Sequence, residues 1–321
     1  MEAPLPMAVE PNTRRFLDGL LKAGGPPIYS LSAADARKVL VKVQRGPIAK
    51  PAADLDDRVF PVGPTGQVSV RIVRPKGDIS ALPALMYFHG GGWILGDCYT
   101  HDRLVREIAN DANAAVVFVD YVRAPEARYP VAIEQAYAAT KYVTEHAKDL
   151  NVDVSRLAVA GDSVGGNMAT VVAMLAKCRR GPNIGFQIMF YPVTDANFGT
   201  ASYGMFADGP WLTRDAMKWF WNAYLPDAAG RKESTASPLQ ASLEQLKGLP
   251  PALIITDEND VLRDEGEEYA EKLAIAGVNV TVARYLGTIH DFVLLNEITD
   301  TPAPRAAIAQ ATGILRSFFD S

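Results

Sequence analysis

Cysteine is nearly absent: Cys98 and Cys178 are the only two in 321 residues. They have neither metal-ligand spacing nor the density of a disulfide framework, so both read as free thiols of a cytoplasmic protein. No stretch approaches the ~18 consecutive apolar residues of a membrane span. The opening MEAPLPMAVEP holds neither a basic leader nor an apolar core, so no secretory signal is expected. A large excess of one sign of charge is missing too. A net charge of −5 gives no reason to expect nucleic acid or an anionic membrane as partner. Internal repeats and low-complexity tracts are missing as well.

What remains is an ordinary globular composition, 48% hydrophobic and 21% charged, long enough for one large domain or a domain with an appendage. Short apolar runs alternate with longer helical patterns. Strands are expected at 68–74, 84–88, 114–121, 157–161, 186–191, 252–256 and 280–285, with a weaker one near 58–62. AAVVFVDY, RLAVAG and ALIIT are continuously apolar, as in parallel strands buried on both faces. Helices are expected at 102–112, 131–146, 167–179, 265–276 and 305–319. That rhythm predicts an α/β fold: a mostly parallel, doubly wound sheet flanked by helices.

Two regions break the rhythm. Residues 1–50 carry amphipathic patterns at 13–21 (Phe16, Leu17, Leu20, Leu21) and at 33–44, the latter with Ser32 as N-cap. Residues 195–246 interrupt the alternation after the sixth strand. There Thr213 can cap a helix with Met217, Phe220, Trp221 and Tyr224 at i, i+3, i+4, i+7, and three of the four tryptophans fall in this insert. Inserts at the carboxyl end of a strand lie over the ligand-binding face of open α/β sheets. A helical cap from 1–50 plus 195–246 is therefore expected over a core of 51–194 plus 247–321. The stripe on 13–21 is expected to pack against the insert, which carries Trp219 and Trp221.

The chemistry is carried by Gly161-Asp162-Ser163-Val164-Gly165, a G-x-S-x-G run with a strand before it and a helix after. Such a turn presents a serine nucleophile at a strained bend, with the positive end of a helix aimed at the site. His89-Gly90-Gly91-Gly92-Trp93 follows another apolar strand. Its bare N–H groups at Gly91 and Gly92, with that of Val164, suit an oxyanion hole. Of four histidines, His89 belongs to the glycine loop, while His101 and His146 lie in helical patterns and read as surface or cap residues. His290 alone follows both the elbow and a late strand, so it is the expected base. Among Asp257, Glu258, Asp260 and Asp264, Asp257 is still leaving the strand and Asp264 resembles a helix N-cap. Asp260 is the expected acid, with Glu258 second. The order Ser…Asp…His fits hydrolases of this kind.

HGGGW (89–93), GDSVGGN (161–167), DVLRDEG (260–266) and IHDF around His290 together resemble the hormone-sensitive-lipase family of α/β-hydrolases, over about residues 10–320. The resemblance implies an α/β-hydrolase fold with an eight-stranded sheet and a helical cap. It also implies cofactor-free and metal-free hydrolysis of small-molecule carboxylic esters by Ser163, Asp260 and His290. An amidase, lactonase or lipase on the same triad is the alternative. The family's likeness extends to plant hormone receptors that have lost the catalytic histidine, which this chain keeps. A homodimer is left open. Pocket residues are expected to be Trp93, Phe206, Trp211 and Trp219. Three departures stand out. Val164 replaces a usual alanine and should narrow the pocket. Arg123 in DYVRAPE is displaced by one position. Asp291 replaces a frequent glycine and adds negative charge at the site mouth.

Overall fold

The computed structural model describes residues 8–321; the expectations for residues 1–7 lie outside them. Eight strands form one sheet: β1 (Ala53–Phe60), β2 (Val68–Pro75), β3 (Leu82–Phe88), β4 (Ala115–Asp120), β5 (Val152–Asp162), β6 (Phe186–Phe190), β7 (Ala252–Asn259) and β8 (Val280–Ile289). Their order is β1-β2-β4-β3-β5-β6-β7-β8. β1 and β2 are antiparallel to their neighbours, and all pairs from β4 to β8 are parallel. Neighbouring residues of the central strands enter opposite cores: Met86 and Phe88 pack on one face, Leu85 and Tyr87 on the other. That is why these strands read as unbroken apolar runs rather than alternating ones.

Among the described residues ten α-helices accompany the sheet: α1 (Pro11–Ala23), α2 (Ala33–Val43), α3 (Asp102–Ala112), α4 (Val131–Glu145), α5 (Val164–Cys178), α6 (Ala201–Met205), α7 (Arg214–Tyr224), α8 (Leu243–Leu246), α9 (Arg263–Ile275) and α10 (Pro302–Phe319). None is long and apolar enough to cross a membrane. α5 starts three residues before the expected 167. Gly165 and Gly166 look like helix breakers, yet they let the first turn sit against β3, where a Cβ on Gly165 would collide with the carbonyl of Phe88. β1 extends earlier than the weak strand near 58–62. Its charged ADLDDRVF is nevertheless held as a strand, in part by Asp57, which faces Arg71 across the ladder at 2.6 Å.

The sheet's carboxyl edge carries α1, α2, α6 and α7. Thr213 caps α7, accepting from the Ala216 N–H at 3.1 Å, and Met217, Phe220, Trp221 and Tyr224 are buried as their spacing predicts. The α1 stripe meets the expected insert in part, through Trp211 rather than through Trp219 or Trp221. Leu17 is buried in the core beneath α1, Phe16 meets Trp211 at 5.7 Å, and Leu21 stays 79% exposed. Trp219 and Trp221 instead pack with the core cluster on the other face of the sheet.

Candidate active site

β3 and β5 are neighbours whose onward connections run to opposite sides, since β4 lies beyond β3 and β6 beyond β5. Such a reversal opens a crevice at the carboxyl ends. Ser163 stands there between β5 and α5 with φ 55° and ψ −120°. This strained left-handed conformation is held by Ser163 N–H donating to Phe190 O at 2.8 Å. A side chain at Gly161 would strike the backbone of Gly165.

β7 and β8 bring the other two groups. His290 lies one residue past β8, and its Nε2 is 3.0 Å from Ser163 Oγ. Its Nδ1 is 2.8 Å from Asp260 Oδ2, and Asp260 Oδ1 accepts the Leu262 N–H at 3.1 Å. With Nδ1–H donated to the carboxylate, Nε2 is left to accept the serine proton. Glu258 does something else: its carboxylate accepts the Gly287 N–H at 2.6 Å, pinning a bend in β8. Asp264 is not an N-cap, a position held by Leu262. It lies in the first turn of α9 and accepts the Ser202 N–H at 2.7 Å, tying α6 to α9. Asp257 sits on β7 behind a register irregularity, its Oδ2 3.9 Å from His290 Nδ1. Ligand atoms of Asp257, Asp260 and His290 lie within 4.8 Å of one another. A metal there would have to displace the Nδ1–H bond that orients the imidazole, so the cluster reads as acid and base rather than as a metal centre.

Burial opposes charge on His290, but Asp260 and then Asp291 outweigh it and raise its pKa to about 9. His89 behaves oppositely. Fully buried and stacked on Tyr121 at 4.1 Å, it is pushed down to about 3 and stays neutral. His101, expected at the surface or at a cap, is the N-cap residue of α3 but is buried, with Nε2 3.3 Å from Asp162 Oδ2, and Tyr87 donates to the same carboxylate at 2.8 Å. Burial alone would neutralise both partners; their attraction wins, raising His101 and lowering Asp162. The amphipathic pattern of α3 begins after His101, so it does not constrain where that ring points. His146 is half-buried and stacks on Tyr142 at 3.8 Å.

A cavity of about 230 Å³ opens onto Ser163 and His290. Gly91 and Gly92 form part of its wall. Their N–H groups and that of Val164 donate to no other part of the protein among the described residues. Gly92 has φ 61°, and the Phe220 ring lies where a side chain would go.

Of the expected pocket residues only Trp211 lines the cavity. Trp93 is turned into the core, stacked 3.9 Å from Tyr224, because the left-handed Gly92 and Trp93 reverse the chain. Phe206 is buried beneath Arg263, whose guanidinium is 5.5 Å from its ring. Trp219 leans on Phe220 at 5.1 Å, outside the wall. Val164 is wholly buried and likewise absent from the wall, so it does not narrow the pocket through its side chain.

Among the wall residues missed are Ile28 and Tyr29 before α2, Val39 and Leu40 on it, and Met217 and Phe220 on α7. The last two belonged to a recognised stripe whose cavity-facing edge the pattern did not reveal. Asp291 also lines the cavity. Its Oδ2 accepts Trp211 Nε1–H at 2.8 Å, and its Oδ1 is 3.6 Å from His290 Nε2. Burial raises its pKa, against the pull of His290. Arg123 reaches the Gly96 carbonyl at 2.6 Å, away from the serine.

A family model described as alpha/beta hydrolase fold matches residues 85–294. Among similar proteins, the carboxylesterase NlhH of Mycobacterium tuberculosis is 39% identical over 292 residues, covering 88% of this chain and 89% of its own. An ethyl acetate hydrolase of Pseudomonas putida is 35% identical over 306 residues, covering 92% and 95%. A crystal structure of a thermostable esterase from Pseudomonas putida is 50% identical, covers 99% of both chains and superposes with a TM-score of 0.95.

Proposed function

Because this chain belongs to the hormone-sensitive-lipase family of α/β-hydrolases, we propose that Ser163, His290 and Asp260 are the catalytic triad of a serine carboxylesterase acting on short- to medium-chain esters. The observation that carries the assignment is the unbroken chain Ser163 Oγ–His290–Asp260, with links of 3.0 and 2.8 Å at a cavity wall. Ser163 Oγ attacks the ester carbonyl as His290 Nε2 takes its proton. Asp260 holds the ring and stabilises the imidazolium. The amides of Gly91, Gly92 and Val164 receive the oxyanion, each such donor contributing about 10²–10³ in kcat. His290 then protonates the departing alcohol, and water, activated by the same nitrogen, releases the acid from Ser163.

The size of the substrate follows from the wall. At about 230 Å³ the cavity is smaller than the roughly 300–1,000 Å³ of sites for drug-sized ligands. The name of the ethyl acetate hydrolase points the same way. Residues 195–246 and the described part of residues 1–50 serve as the cap, supported by Ile28, Leu40, Trp211 and Met217 standing in the wall. From Ala236 onward the insert leans on α5 and α9, with Asn167 bonded to Ala236 O and Lys272 to Leu239 O. The test is a panel of p-nitrophenyl esters, anilides and lactones beside Ser163→Ala. Ester turnover lost in the variant is expected. Preferential turnover of anilides or lactones would replace the esterase reading with an amidase or lactonase.

A further inference from the structure

One acid at the site has no part in the mechanism above. Asp257 is fully buried, and neither of its carboxyl oxygens has a hydrogen-bond partner among the described residues. It lies 3.9 Å from His290 Nδ1 and within 4.8 Å of Asp260. Asp260, by contrast, accepts two N–H groups, from Leu262 and His290. Two carboxyls this close, one with donors and one without, do not ionise together; the proton stays on the one without.

We propose that Asp257 is a positioning residue, a neutral carboxylic acid whose O–H turns to Asp260 and steadies it for His290. The proposal rests on the triad reading above. The other titratable groups around the imidazole are Asp291 beside Nε2, Asp162 at the end of β5 and the Tyr191 ring 4.8 Å away. Burial first, and then the charge of Asp260, hold the Asp257 carboxyl far above the usual carboxylate range. An ionised Asp257 would work against catalysis. A second negative charge behind Nδ1 would hold the imidazole protonated, and only the neutral ring can accept the serine proton.

Asp257→Asn keeps a donor in place, whereas Asp257→Ala removes it. Asp257→Ala should lower kcat by about 10- to 100-fold through loss of alignment, with little change in KM. Asp257→Asn should restore most of that loss and leave the acidic limb of the kcat/KM profile where wild type has it. If Asp257 were ionised, Asp257→Asn would delete a charge next to His290 and move that limb to lower pH, overturning the proposal. Wild-type kcat in Asp257→Ala would overturn it as well. Should Asp257→Ala not fold, the position of the limb in Asp257→Asn decides alone. Ser163→Ala is measured alongside: activity there would sink the triad reading, whereas the limb reports on Asp257.

Discussion

At Ser163 a left-handed backbone, a buried hydroxyl and a histidine 3.0 Å away meet in one residue. Ser163→Ala should lower kcat by on the order of 10⁶ while leaving the unfolding temperature intact, because nucleophile and base act as a unit. Asp260→Asn should cost about 10⁴, as wrong-tautomer variants do. Glu258→Gln should cost far less, since Glu258 holds a β8 amide rather than His290. Steady-state rates for the pair decide; a severe Glu258→Gln with a mild Asp260→Asn would reverse the assignment. The pH dependence follows from His290. With its pKa raised to about 9, the neutral base accumulates only as pH climbs, so kcat/KM should rise across pH 7 to 9. Asp260 is the largest of the raising charges and Asp291 the next. Asp291→Asn should therefore move the acidic limb to lower pH, and an unmoved limb would show that Asp291 does not act on the base.

The elements show what periodicity can and cannot convey. Strand–helix alternation, the glycine loop and the elbow were legible because each rests on local chemistry. The direction in which an aromatic points was not. On α7 the stripe of Met217, Phe220, Trp221 and Tyr224 is buried throughout, yet Met217 and Phe220 face the cavity while Trp221 and Tyr224 face the core. The β7 irregularity that sets Asp257 and Asp260 on the same histidine left no mark in the sequence either, since bulges have no fixed residue signature outside glycine types. Two tryptophans test this directly. Trp93→Ala should destabilise the fold by about 3–5 kcal/mol, as for a fully buried aromatic, read by denaturant unfolding. Trp219→Ala, outside the wall, should leave kcat/KM for butyrate esters within a few-fold. Val164→Ala should not lengthen the preferred acyl chain, because the side chain does not reach the cavity.

For the whole molecule, the N-terminal segment supplies part of the cavity wall. Gln44 bonds the carbonyls of Thr100 and Leu294, and Arg37 bonds Ile94 O, at 2.8–2.9 Å, while Ile28 and Leu40 stand in the wall. Deleting residues 1–45 should produce aggregation or much reduced activity. A soluble truncation with unchanged kcat/KM across acyl lengths would remove this segment from the site. In the intact protein each methylene that finds the apolar wall gains about 0.8 kcal/mol. Overfilling costs about 1–3 kcal/mol. The optimum among p-nitrophenyl acetate through palmitate should therefore fall near about four to eight carbons. A maximum at palmitate, or a jump in rate on an emulsion, would indicate a lipase. The central claim, that Ser163 is the nucleophile, is tested most directly by the mass of peptides from protein inactivated with a fluorophosphonate ester. One phosphonyl group per chain is expected, on the peptide carrying Ser163, with ester hydrolysis falling in proportion. Full inactivation with Ser163 unlabelled would contradict it.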